Sequence, residues 1–153
     1  NRYINDEAIC QAVVAMWAKI GVKAKLNAIN FGPFIAKVQN FDTSAYLLGW
    51  GVATYDAQYS LQSLVMTRTQ GPDGSFNFSK VSNARIDALV ESMKTELDKT
   101  KRDAMIKEAL TLTRDEMLYI PLHHQMRPWA MKKNIELVHR ADNRLDWRLI
   151  KVN

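Results

Sequence analysis

Three histidines, one cysteine and a tryptophan held between two glycines are the residues of this chain whose types suit chemistry or ligand contact. His123 and His124 are neighbours. Successive side chains on an extended strand point to opposite faces, so the pair does not converge on one ion, and no HxxxH or acidic partner spacing accompanies it. His139 stands alone in a basic tail. Cys10, among Ala8, Ile9, Ala12 and Val13, reads as a small core residue; a lone cysteine makes neither an intrachain disulfide nor a thiolate cluster. There is no glycine-flanked serine elbow and no motif supporting a Cys–His pair. Gly71-Pro72-Asp73-Gly74 lacks the Lys-Ser/Thr ending of a phosphate loop. These residues support neither an enzyme nor a metal or cofactor site. Gly49-Trp50-Gly51 is different in kind. Glycines beside an aromatic let a backbone approach a ligand closely while the ring offers a stacking surface; a turn with a core tryptophan fits the same residues.

The elements that would position this turn follow from periodicity. Asn5 reads as an N-cap, with Asp6 and Glu7 in the first turn; Ile9, Ala12, Val13, Met16, Trp17 and Ile20 recur at helical spacing and Gly21 supplies the stop. Residues 22–28 alternate apolar with polar, as a half-buried strand does. Gly32-Pro33 opens a short helix carrying Phe34, Ile35 and Val38, and residues 45–48 form an apolar run expected of a strand covered on both faces. Helix, strand, helix, strand is the rhythm of parallel α/β architecture, in which ligands sit at the carboxyl ends of strands, where Trp50 lies. Beyond it, residues 57–66 predict a helix with Leu61, Leu64 and Val65 inward, and 67–80 a polar loop. Ser82 or Asn83 caps a helix striped by Ile86, Leu89, Val90 and Met93. Asp98 starts another, with Met105, Ile106, Ala109, Leu110, Leu112 and Met117 inward. Residues 119–124 read as extended, with Pro121 marking an edge or strand end.

A chain of 153 residues, 47% hydrophobic, suits one domain with a sizeable core. No apolar run approaches the roughly 18 residues of a membrane span. The net charge of +5 is concentrated at one end: residues 1–124 carry 14 Lys/Arg against 13 Asp/Glu, residues 125–153 carry 7 against 3. No basic stripe with a nucleic-acid motif is visible. The rival reading is a freestanding basic module whose residues 125–153 bind nucleic acid or an acidic partner; a hydrolase built on His123 or His124 is a third.

Trp17-Ala18-Lys19-Ile20-Gly21-Val22-Lys23, the Gly49-Trp50-Gly51 turn, Phe78-Ser79, Asn83-Ala84-Arg85-Ile86-Asp87-Ala88-Leu89 and Tyr119-Ile120-Pro121-Leu122-His123-His124 follow one another in an informative order. In this order and spacing the chain resembles the C-terminal part of the family 5 extracellular solute-binding proteins, the oligopeptide, dipeptide and nickel receptors of bacterial ABC importers. The resemblance implies a two-lobed receptor that closes on a small solute or peptide and delivers it to an ABC permease, in the periplasm or outside the cell, or tethered there as a lipoprotein. It implies no cofactor. This chain, which opens on Asn1, would be most of the second lobe of a type II periplasmic binding protein: an α/β domain, residues 1–124, with a parallel or mixed sheet flanked by helices and lacking its first strand. Residues 125–153 would return to the first lobe, making Trp129, Trp147, Arg127, Arg140, Arg144 and Arg148 interface residues.

Carried across, the family's ligand turn falls on Gly49, Trp50 and Gly51, with Thr54 and Tyr55 as polar contacts. Peptide-binding members carry an aspartate three residues after the tryptophan, whose bond to the peptide's α-amino group is worth roughly 1.5–3 kcal/mol. Here that position is Ala53, a departure that sets free-amine peptides in question. Asp56 either takes over that role or caps the following helix.

Overall fold

The computed structural model describes residues 4–52, 54–126, 128–140, 142 and 144–153. Helix α1, Asp6–Ala18, begins after Asn5, whose backbone is left-handed (φ 61) and whose side chain makes no cap bond. The Asp6 carboxylate instead accepts from Glu7 N at 2.7 Å. Gly21, at φ 82, ends the turn after it, as a residue without Cβ does at little cost. Helix α2, Phe31–Gln39, buries Val38.

The other helices are capped by their preceding polar residues. Asp56 accepts from Gln58 N at the start of α3, Ala57–Ser60, which continues as a π-helical turn over Leu61–Val65. Asn83 accepts from Arg85 N and Ile86 N ahead of α4, Ala84–Met93, and Asp98 accepts from Lys101 N ahead of α5, Lys99–Asp115.

The core sits where these helices meet. Ile86, Leu89, Val90 and Met93, a single helical stripe, are buried against Leu61, Val65, Met66 and Ala109, with Met105, Ile106, Leu112 and Tyr119 packed around them. Arg85 bridges α4 to α5 through Glu108, Nε to Oε1 at 2.6 Å and Nη2 to Oε2 at 2.8 Å. Leu110 and Met117, expected inward, are 48% and 71% exposed: the face of α5 that meets α4 is centred on Ala109.

The sheet differs from the expectation. Among the described residues the only ladder is antiparallel, between β1, Ile135–Leu137, and β2, Ile150–Val152, pairing Ile135 with Val152 and Leu137 with Ile150. A 3-10 turn, Trp147–Leu149, leads into β2. Residues 22–28, 45–48 and 119–124 carry neither helix nor strand, so no parallel or mixed sheet joins the first two among the described residues. An apolar run reports that side chains seek cover; it does not specify which backbone takes up the N–H and C=O groups.

The loop 67–80 is built on two residues. Asn77 is fully buried, donating through Nδ2 to Met66 O (2.9 Å) and Val81 O (2.8 Å) and accepting from Val81 N (3.2 Å). Gly74, at φ 62, packs so closely that a Cβ would lie 2.5 Å from Met66 O and 2.6 Å from Arg68 Cα. No helix among the described residues is long and apolar enough to cross a membrane.

Candidate functional site

Trp50 is held by three neighbours that periodicity did not reveal. Its ring stacks on Tyr59, with centroids 5.5 Å apart and planes at 24°, and Phe76 meets it edge-on at 5.1 Å. Its indole Nε1 donates to Ser60 Oγ at 3.2 Å. Because Asp56 starts α3 at once, the first turn of that helix carries both Tyr59 and Ser60 to the tryptophan. The loop 67–80 supplies Phe76. From there the rings continue through Phe78, 5.9 Å from Phe76, to Tyr46, 6.1 Å from Phe78. Tilted and edge-to-face pairs at these spacings each add about 0.5–1.5 kcal/mol beyond buried area. The only sequence sign of this row is that residues 46, 50, 59, 76 and 78 are all aromatic.

The glycines of the turn are exposed. A Cβ on Gly51 would meet nothing within 4 Å, and its φ lies outside the left-handed region, so neither packing nor conformation demands glycine there. Thr54 Oγ1 accepts from Asp56 N at 3.3 Å. Tyr55 is 64% exposed and holds φ 56, a backbone conformation costly for a bulky residue. Ala53, the position of the missing aspartate, lies outside the described residues.

Asp56 has both carboxylate oxygens engaged. Oδ1 accepts from Gln58 N at 2.9 Å, and Oδ2 lies 2.8 Å from Arg102 Nη2, reaching across from α5. The Arg102 hydrogen bond holds the carboxyl below its ordinary value of 3.8, helped by the Gln58 amide and opposed by partial burial.

Behind the aromatic row lies a small hydroxyl network. Tyr46 OH and Ser79 Oγ are 3.0 Å apart, and Tyr119 OH donates to Leu64 O, a carbonyl of the π-helical turn. Burial, and then Tyr46, raises the Tyr119 phenol well above its ordinary value. It stays a neutral donor.

The remaining candidates are dispersed. His123 and His124 are exposed, and His139 packs edge-on against Trp129 at 5.4 Å. No group of three or more His, Cys, Asp or Glu among the described residues could hold a metal. In the tail, Arg140 pairs with Asp142 (2.6 Å) and Asp146 (3.8 Å), and Arg148 with Asp146 (2.8 Å), so part of the tail's basicity is neutralised internally. Arg127 lies outside the described residues. A shallow groove of about 500 Å³ runs along the outer face of α5, bounded by Asp103, Lys107 and Arg114, and does not include the Trp50 turn.

Comparison with known proteins gives this arrangement a context. The chain is 31% identical over 131 residues to a di/tripeptide-binding protein of Pseudomonas aeruginosa, covering 86% of this chain and 24% of that protein. It is 29% identical over 138 residues to an oligopeptide-binding protein of Bacillus subtilis, covering 88% and 24%. It is 27% identical over 135 residues to a glutathione-binding protein of Salmonella typhimurium, covering 84% and 26%. The chain thus spans about a quarter of the length of these relatives. No family model matches it.

Proposed function

From its similarity to the family 5 extracellular solute-binding proteins, we infer that this chain is part of an ABC-importer receptor: a nonenzymatic binding lobe that captures a peptide or other small solute outside the cytoplasm for delivery to a membrane permease. Residues 1–124 form the lobe and 125–153 pack against the other lobe of the same polypeptide. The observation that carries this reading is the coincidence of two independent facts. Relatives named for binding peptides or glutathione align over more than four fifths of the chain. The turn at Gly49-Trp50-Gly51 also presents an exposed glycine, Gly51, whose Cβ position meets nothing among the described residues, beside a tryptophan braced by Tyr59, Phe76 and Ser60. Bracing leaves Trp50 little rotational freedom to lose, and preorganised walls are what binding sites need.

In this reading Trp50, Gly49 and Gly51 form one wall of an interlobe cleft, Thr54 and Tyr55 offer polar contacts, and Asp56, tied to Arg102 and the α3 cap, is a helix-capping residue rather than an amine anchor. One wall is half a site. Good small-molecule sites bury about 70–90% of their ligand, so the chain by itself should bind weakly, and the opposing lobe is needed to complete the site.

Calorimetric titration with alanyl-alanine, trialanine and glutathione tests this, on the chain alone and on the two-lobed protein. In the two-lobed protein Trp50→Ala weakens the binding solute at least tenfold without altering helix content. Micromolar affinity for the chain alone, or a Trp50→Ala protein that binds as tightly as the parent, overturns the assignment.

A further inference from the structure

Arg102, in the first turn of α5, joins two other elements through its guanidinium. Nε donates to Met93 O at 3.3 Å, a carbonyl at the end of α4, where the helix has no further amide to offer it. Nη2 lies 2.8 Å from Asp56 Oδ2. Met93 belongs to the buried core. The guanidinium is thus seated on a part of the fold that packing has already fixed, and it holds Asp56 against it.

Asp56 passes that constraint toward Trp50. Its Oδ1 accepts from Gln58 N at 2.9 Å and its carbonyl from Tyr59 N at 3.3 Å. Tyr59 is the residue whose ring stacks on Trp50, and the next one, Ser60, accepts the indole N–H. Helix α3 is only four residues long, too short to hold its direction by its own bonds, so its ends must hold it. Leu61, fully buried, anchors one end, and Asp56 anchors the other. The entry to α3 is itself under constraint. Tyr55 holds φ 56, a form that persists in a bulky residue only where its surroundings enforce it. Asp56 is the neighbour through which that enforcement acts: its amide donates to Thr54 Oγ1 at 3.3 Å, and its carboxylate is fastened to α5.

We propose that Arg102 is a positioning residue for the ligand wall: by clasping Asp56 to the end of α4 it fixes the direction of α3, and through Tyr59 and Ser60 the set of the Trp50 ring. This deepens the reading of Trp50 as a wall of the solute site and rests on it. Arg102 itself touches no solute. The bond that distinguishes it is the double one: a guanidinium reaches the carbonyl and the carboxylate at once, with its donors in a fixed planar fork, whereas an ammonium is a point charge on a flexible stem.

The test reads the Trp50 indole N–H of the 153-residue chain by NMR, assigned through Trp50→Phe, together with the nuclear Overhauser contacts between the Trp50 and Tyr59 rings. Arg102→Gln is expected to move the Trp50 indole signal and weaken the ring contacts, while the Trp17 and Trp129 indole signals stay in place. General loosening of the fold would move all three. Arg102→Lys, which keeps the charge beside Asp56 but not the fork, is expected to restore part of the parent signal. Asp56→Asn combined with Arg102→Gln is expected to move the indole no further than Arg102→Gln alone, because two residues acting through one bond are not additive. A Trp50 signal unchanged in Arg102→Gln means that Leu61 alone holds the helix and overturns the proposal, as does an additive double variant. The two readings fail separately. A Trp50→Ala receptor that binds solute as tightly as its parent removes the wall and leaves the clasp, whereas an unmoved indole in Arg102→Gln removes the clasp and leaves the wall.

Discussion

Asp56 shows how one side chain can be occupied by structure when its position suggests ligand contact. Its two oxygens serve the α3 cap and Arg102, and each bond favours the ionised carboxylate. A carboxyl whose folded pKa is depressed below 3.8 stabilises the fold above its unfolded value and loses that contribution as pH falls through the folded one. Asp56→Asn retains a capping oxygen but loses the charge, so it costs about 0.5–1 kcal/mol near neutral pH, a modest figure because the pair is partly solvated. Urea unfolding should show that gap closing as the solution is acidified below about pH 4. A gap independent of pH would deny the ion pair its role. Gly74 is a sharper case. Its Cβ position collides with backbone at Met66 and Arg68, and no rotamer change relieves that. Gly74→Ala should therefore destabilise by at least about 2 kcal/mol. Gly51→Ala, with open space at its Cβ, should leave the melting temperature within about 2 °C.

At the scale of elements, the helix pair α4–α5 carries the fold. The α4 stripe is buried throughout, whereas α5 contributes one fully buried residue, Ala109, and a flank of half-covered side chains. The small residue at that crossing lets the helices approach closely, and the Arg85–Glu108 fork and the Asn83–Glu116 bond at 2.6 Å fasten the rim. Two substitutions on α4 distinguish packing from capping. Ile86→Ala leaves a cavity in a site that is 0% exposed and should cost about 2–5 kcal/mol. Asn83→Ala removes a cap that serves two amides and should cost about 1 kcal/mol. Chemical denaturation of both variants measures this, and an Asn83→Ala loss as large as that of Ile86→Ala would mean that the cap organises more than its helix.

Across the whole molecule, burial is uneven. The core cluster draws on residues 61–109 with flanking cover to Tyr119, while α1 buries only Asp6, and Met16 on it and Ile20 just beyond it are 62% and 76% exposed. The β1–β2 hairpin has no buried residue, and Trp147 beside it is 75% exposed. Amide exchange should follow this division: slowest in α4 and in the Ala109 turn of α5, fastest in α1 and in the hairpin, because local opening there exposes little apolar surface. Uniform protection along the chain would contradict it. Exposed apolar side chains on the tail are also what the other lobe of the proposed receptor would cover, so joining that lobe should slow exchange first in the hairpin.

What the sequence by itself determined was local or ordinal. Helix starts at Asp56, Asn83 and Asp98 were legible because a cap is a relation between a side chain and amides two or three residues on. The α4 stripe was legible because burial of one face repeats with the helical period. The order of weak motifs pointed to the solute-binding proteins that the comparisons also find. Tertiary structure decided everything that depends on distant partners. It left residues 22–28 and 45–48 without a strand ladder, since an apolar pattern does not name a pairing strand. It turned Leu110 outward, buried Asn77 as the hub of a polar loop, and set Tyr59 and Phe76 around Trp50. Those contacts join residues 9 to 26 positions apart through a loop whose path is set by packing, and no period in the sequence encodes such a distance.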